Sequence, residues 1–163
     1  MENVHIRRAR EGDGEAVHRI NEAAFGYVYD LEKTKVRLKY ILTLERDAIF
    51  VAEADGTAVS ARAAVSDRVV VSDRVVVGYI HGSGYECTYN DPLKNILAFG
   101  VLPVFQKKGV GRALLAEFEQ WAKEDGAAGV RLVSGFDRQG AHTFYLKCGY
   151  TDRKNQKNFI KYF

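Results

Sequence analysis

Residues 101–115 read V-L-P-V-F-Q-K-K-G-V-G-R-A-L-L: an apolar run ends, Pro103 breaks it, and Gly109 and Gly111 open onto a helical pattern. This is the layout of an anion site. The first N–H groups of a helix have no internal acceptor, and the helix dipole places about half a positive charge at that end. Glycines let the main chain approach a phosphate closely, while Lys107, Lys108 and Arg112 add positive charge. A pyrophosphate is held in such a site chiefly by the backbone amides of Lys107, Lys108, Gly109, Val110, Gly111 and Arg112. Two common phosphate loops do not fit. A nucleotide P-loop requires Gly-Lys-Ser/Thr, and no Lys-Ser/Thr pair follows here. A dinucleotide fingerprint requires a third glycine after G-x-G, and that position is also missing.

The pattern V-x-P followed by Q-x-x-G-x-G, with Gln106, Gly109 and Gly111 in the marked positions, resembles the acetyl-CoA site of the GCN5-related N-acetyltransferases. Residues 141–150, A-H-T-F-Y-L-K-C-G-Y, are similar to that family's A-x-x-F-Y-x-x-x-G-F/Y segment. The likeness is specific over residues 96–150 and holds in layout over residues 4–54. It implies an enzyme that moves acetyl from acetyl-CoA to a primary amine of a small molecule or peptide by direct attack, without a metal; a cytoplasmic location is the expectation from a chain with only two cysteines. It further implies that Phe99, Gly100 and Val101 hold the pantetheine amides and the thioester carbonyl in a cleft between two splayed strands. An extended ligand enters such a cleft as an added strand. Tyr145 takes the position of the family's acid beside the CoA sulfur. For the base, Glu86 and His81, at or just past the third strand, are the candidates, acting directly or through water. Where the family often carries Asn, this chain has Arg138, which reaches a CoA phosphate instead, with Asp137 adjacent as a substitute for the Asn role. Tyr27 and Tyr29, in the link between the first two helices, line the acceptor pocket in this reading. The rival on the same fold is a non-catalytic CoA-binding or sensing module.

The elements that must position these groups follow from periodicity. Alternation predicts a strand over 4–8. Asp13 is the expected N-cap of a helix over 13–25, and a second helix is expected over 31–44. Strands follow over 48–54 and 94–101. A strongly amphipathic helix spans 109–123, with Val110, Ala113, Leu114, Phe118 and Trp121 on one face. A strand over 130–134, a helix over 140–147 stopped by Gly149, and a closing strand over 159–163 complete the chain. The resulting fold class is α/β: a mixed, mainly antiparallel central sheet flanked by helices, of the acyl-CoA N-acyltransferase type, in one domain over 1–163.

Between the second and third strands the chain repeats itself in sixes: DGTAVS, ARAAVS, DRVVVS, DRVVVG. Six is even, so each unit preserves strand alternation. One unbroken strand over 57–80 would run about 80 Å at ~3.3 Å per residue, more than a domain of this size covers. The segment is therefore expected to fold back near Ser66-Asp67 or Ser72-Asp73 as an elongated or irregular hairpin insertion at about 57–76. Its Val-rich edge is suited to pairing with a second copy in a homodimer.

Composition narrows the remaining classes. The 163 residues are 47% hydrophobic and 28% charged, which excludes a disordered or collagen-like chain. A net charge of +3, without a basic helix or an aromatic stacking platform, argues against nucleic acid as partner. Two cysteines make neither a disulfide framework nor a zinc set, and the four histidines show no ligand spacing, so no metal site is expected. No apolar run is long enough to span a membrane, and the start of the chain lacks a signal-peptide core.

Overall fold

A computed structural model describes residues 4–55 and 74–163. The chain divides into two compact units, residues 1–132 and 133–163. In the first unit β1 (His5–Arg8), β2 (Asp47–Asp55), β3 (Arg74–Tyr85), β4 (Leu93–Val101) and β5 (Gly129–Leu132) form one sheet in the order β1-β2-β3-β4-β5. All neighbours are antiparallel except β4 and β5, which run parallel. The expected mixed, mainly antiparallel sheet is what the chain forms. The hairpin expected at about 57–76 lies outside the described residues up to position 73. Residues 74–76 belong to β3 itself, with Arg74 opposite Asp55 and Val75 opposite Ala54.

Helices cover both faces. α1 (Gly14–Ile20) and α2 (Leu31–Ile41) lie on one side and α3 (Val110–Glu124) on the other. Because strand side chains alternate, small residues on the central strands mark where each helix approaches. A Cβ on Gly82 would stand 2.2 Å from the Phe118 ring, and one on Gly78 3.2 Å from Leu114, both on α3. A Cβ on Gly100, from the opposite face, would stand 2.9 Å from Ile20 and Phe25. With both faces covered, β2 and β3 are apolar and buried along most of their length, Val51, Ala52, Val77 and Ile80 completely so. From α3, Val110, Leu114, Leu115 and Phe118 complete the core. Lys94 is the buried cation of this face: its ammonium meets Asp125 and lies 4.5 Å from the centre of the Trp121 ring.

Several expectations are corrected. The helix expected over 13–25 is three pieces: a 3-10 turn (Glu11–Asp13), α1, and a π-helical turn (Asn21–Phe25) closed by Gly26 in the left-handed region at φ 71°. The wide turn is pinned from the sheet, where the Tyr79 hydroxyl donates to Asn21 Oδ1. Asp13 occupies the N-cap position of α1 but makes no side-chain cap bond to that helix. Its carboxylate instead accepts two bonds of 2.8 Å from the Arg7 guanidinium and one of 2.8 Å from the Arg10 amide. The strand expected over 159–163 is absent. Residues 151–163 are exposed and without regular structure, because alternation alone supplies a face but not the ladder partner a strand requires.

Arg7 ties β1 to its neighbours, donating to Glu53 on β2 at 2.7 Å as well as to Asp13. Burial alone would push the Asp13 carboxyl up, but the hydrogen bonds and charge of Arg7 and the Arg10 amide outweigh it and hold it below its usual range. An Asp13→Asn chain is expected to lose on the order of 2–3 kcal/mol at neutral pH, less than a fully buried pair because Arg7 is partly solvated. A group with a lowered folded pKa stabilises above the usual carboxylate range, near about 4, and that contribution disappears as pH falls through the folded value. Urea unfolding of parent and variant should therefore differ at pH 7 and converge in acid. A difference independent of pH contradicts this assignment.

Candidate active site

β4 changes partners halfway along. Its ladder with β3 runs Tyr85↔Leu93 to Gly82↔Ile96 and resumes at His81↔Ala98, which leaves Leu97 as an extra, bulged residue. Its ladder with β5 covers only Leu93 to Ile96. From Leu97 onward, β4 therefore continues past the end of β5. Leu102 N–H donates to Val77 O at 2.8 Å, and antiparallel pairing alternates sides. The main-chain groups of Gly100 and Ala98 thus face β3, while those of Phe99 and Val101 point to the side that β5 has left. The strand expected over 130–134 ends at Leu132, so the two strands pair over four residues and β4 runs on for five more.

The strand then runs into the loop. Pro103–Phe105 form a 3-10 turn with Phe105 buried, and Gln106 donates its side-chain amide to the Val101 carbonyl at 3.1 Å. Lys107 (φ 61°) and Gly109 (φ 93°) both sit in the left-handed region. Nothing lies within 4 Å of where a Gly109 Cβ would be, so the glycine serves the backbone turn rather than a close contact. The first α3 amide to find a carbonyl behind it is Ala113, bonded to Gly109 at 3.0 Å. The amides of Val110, Gly111 and Arg112 precede that bond and point out of the helix end. Lys107, Lys108 and Arg112 are exposed around it, whereas the Val110 side chain is fully buried, leaving its N–H as the part that faces the loop. These donors suit a diphosphate, and the strand edge beside them suits an extended amide-bearing arm.

The opposite face of the sheet carries the remaining groups of this unit. The Phe25 ring touches the position above Gly100 and lies 5.5 Å from the Tyr27 ring and 6.5 Å from the Tyr79 ring. Tyr27 and Tyr29 are exposed, and the Tyr29 carbonyl is held by His18 Nε2 at 2.8 Å. The structure therefore brings Tyr27 toward Gly100 through Phe25. Gly100 itself presents its Cα to these helices rather than to the α3 side. His81 Nε2 meets Asp47 Oδ2 at 2.9 Å, and Ser83 Oγ donates to Asp47 Oδ1 at 2.7 Å. Glu86 is exposed one residue beyond β3, at the Leu93 end of the hairpin. That end lies roughly 26 Å from Val101 at ~3.3 Å per residue. Sequence reasoning did not find Asp47 or Ser83. Both are short polar residues near strand ends, and only the β2–β3 register shows that they face one another.

In the second unit, α4 (Gln139–Lys147) carries Tyr145, with Arg138 at its N-cap position. The Tyr145 ring lies 5.5 Å from Phe144 and 5.7 Å from Tyr150. Burial pushes its phenol above the usual value, against an opposing pull from the Arg138 charge. Asp137 lies beside the turn at Gly135. Among the described residues no group of three or more His, Cys, Asp or Glu side chains is placed to hold a metal, and no helix is long and apolar enough to cross a membrane.

Comparison with known proteins agrees with this fold. The model of the acetyltransferase (GNAT) family matches residues 14–150. An uncharacterized N-acetyltransferase of Archaeoglobus fulgidus is 26% identical over 147 residues, covering 87% of this chain and 89% of its own. One from Methanocaldococcus jannaschii is 24% identical over 136 residues, covering 83% of this chain but 53% of its own, so the chain spans about half the length of that relative. Among solved structures, the aminoglycoside N-acetyltransferase AAC(6')-Iy in complex with CoA superposes with a TM-score of 0.78 at 17% identity, covering 99% of this chain and 96% of that one. A transcriptional regulator from Bacillus halodurans superposes at 0.74 and 20% identity, covering 97% and 100%.

Gly100 is the contact through which the helical face reaches β4. A Gly100→Ala chain is expected to lose about 1–3 kcal/mol of stability in urea unfolding, because its methyl overlaps Ile20 and Phe25. An unchanged midpoint would show that the π-helical turn is not seated on the strand.

Proposed function

The chain belongs to the GNAT family of acetyltransferases, and from that premise we propose that it transfers acetyl from acetyl-CoA to a primary amine. The observation that carries this reading is the continuity of one strand edge with one helix end. β4 runs past β5 from Leu97 to Val101, and eight residues later, after a 3-10 turn and the glycine loop, the amides of α3 begin. The diphosphate rests on those amides with Lys107, Lys108 and Arg112 around it, and Arg138 is assigned to a further CoA phosphate. By the family resemblance, Phe99, Gly100 and Val101 hold the pantetheine arm and the thioester carbonyl. Held in this way the thioester is positioned for attack, and a backbone N–H near Val101 stabilises the oxyanion.

A neutral amine attacks the thioester carbonyl carbon. The C–N bond forms, the C–S bond breaks, the sulfur leaves with a proton from the Tyr145 phenol, and the nitrogen gives up its own proton to a base. Tyr145 is assigned the acid role because a phenol carries its proton at neutral pH, and burial raises its pKa further. Tyr27 and Tyr29 flank the acceptor with aromatic surface. Aminoglycosides belong in the acceptor panel because AAC(6')-Iy has a similar fold, alongside polyamines, amino acids and peptides.

Two measurements test the reading. Calorimetry with acetyl-CoA should register binding that a Gly109→Glu chain weakens by at least about tenfold, since the new carboxylate stands at the helix end in a backbone region that L residues resist. No heat with the parent chain, or equal binding by the variant, removes the site. Thiol detection across the amine panel should then show CoA release, with Tyr145→Phe lowering kcat about 10²-fold at little cost in acetyl-CoA affinity. Tight acetyl-CoA binding without thiol release from any amine would make the chain a CoA-binding module instead.

A further inference from the structure

The reaction proposed above leaves its base unassigned, and the sheet face toward α1 and α2 holds a group built for that task. Asp47 is nearly enclosed, its side chain 7% exposed and that of His81 13%. One carboxylate oxygen is occupied by Ser83 Oγ at 2.7 Å and the other by His81 Nε2 at 2.9 Å, so the carboxylate is fixed at both ends. An ionised carboxylate can only accept, which makes Nε2 the donor and leaves the lone pair of the neutral imidazole on Nδ1. Nδ1 has no protein partner among the described residues, and no buried polar side-chain atom there lacks one, so Nδ1 opens to solvent. A carboxylate that sets the tautomer of a histidine whose other nitrogen is open is the arrangement of a general base and its orienting group.

Its place in the fold matters as much as its chemistry. His81 lies opposite Ala98, the residue between the bulged Leu97 and Phe99. It is one interstrand spacing, about 4.8 Å, from β4, and an arm added to the outer edge of β4 lies one further spacing away. Glu86 is five residues farther along and exposed. The neighbours of His81 in register, Ile49 on β2 and Ala98 on β4, carry no charge. The ionisable groups around it are Asp47, with the exposed Arg46 guanidinium 3.8 Å from that carboxylate, and Tyr79, bonded to Asn21. Farther along the same face stands Tyr85, under Arg131.

We propose that His81 is the base that takes the acceptor amine's proton, through one water, with Asp47 as the positioning residue that holds its tautomer. The proton passes from nitrogen to water to Nδ1 as the C–N bond forms, and the imidazolium returns it to solvent after the product leaves. The proposal rests on the transfer reaction above and fails separately from it.

His81→Gln is the informative variant, because a glutamine amide can still donate to Asp47 and preserve the fold while lacking a basic nitrogen. With an amine that the parent chain acetylates, the variant is expected to lose about 10²-fold or more in kcat at unchanged acetyl-CoA affinity. Asp47→Asn should lower kcat with little effect on the acceptor KM. Parent-like turnover by His81→Gln overturns the proposal. A loss confined to Glu86→Gln overturns it in favour of that carboxylate. A parent chain that binds acetyl-CoA but acetylates no amine overturns the transfer reading itself, and the base with it.

Discussion

A β-strand has two edges, and this molecule depends on β4 changing the use of its outer one at Leu97. Before the bulge that edge is satisfied by β5; after it, β5 has ended while β4 remains paired to β3 on the inner side. Beyond the bulge no strand continues that outer edge, and the Gln106 side-chain amide reaches back to it at the Val101 carbonyl. The bulge also restores alternation: Lys94 and Ile96 face α3 before it, and Phe99 and Val101 face α3 after it. Without the extra residue, either the core contacts of the first half or the aim of the second would invert.

The helices on the two faces contribute differently. α3 supplies an apolar stripe that anchors it to the sheet from Val110 to Ala122, so its amino end, where the unpaired amides lie, is held at the mouth of the strand edge. The other face is less regular and more polar. There the π-helical turn, pinned by Tyr79 and seated on Gly100, carries the chain into the exposed tyrosines. Irregular helix of this kind often accompanies function, and here it sets the height of Phe25 above β4.

Two buried carboxylates illustrate different uses of one residue type. Asp13 is surrounded by donors with no open partner beyond them, and its work is to join β1 to the start of α1. Asp47 passes its influence on through an imidazole that still reaches solvent. Both are aspartates near the ends of elements, and nothing local distinguishes them. What separates them is whether the partner is a guanidinium, which cannot give up its proton, or an imidazole, which can.

The sequence by itself determined the parts whose physics is local. The glycine loop, Pro103, the amphipathic stripe of α3 and the alternation of the central strands are short-range patterns, and the elements they predict formed within a few residues of expectation. Local pattern misled where a second partner decides the outcome. Asp13 read as a cap until Arg7 claimed it, one helix became three when Tyr79 engaged Asn21, and an alternating tail found no ladder to join. Only the tertiary structure decided the bulge at Leu97, the end of β5 at Leu132 and the meeting of His81 with Asp47 and Ser83. These depend on register between segments far apart in the chain, and register is set by how whole faces pack, which no single stretch of residues encodes.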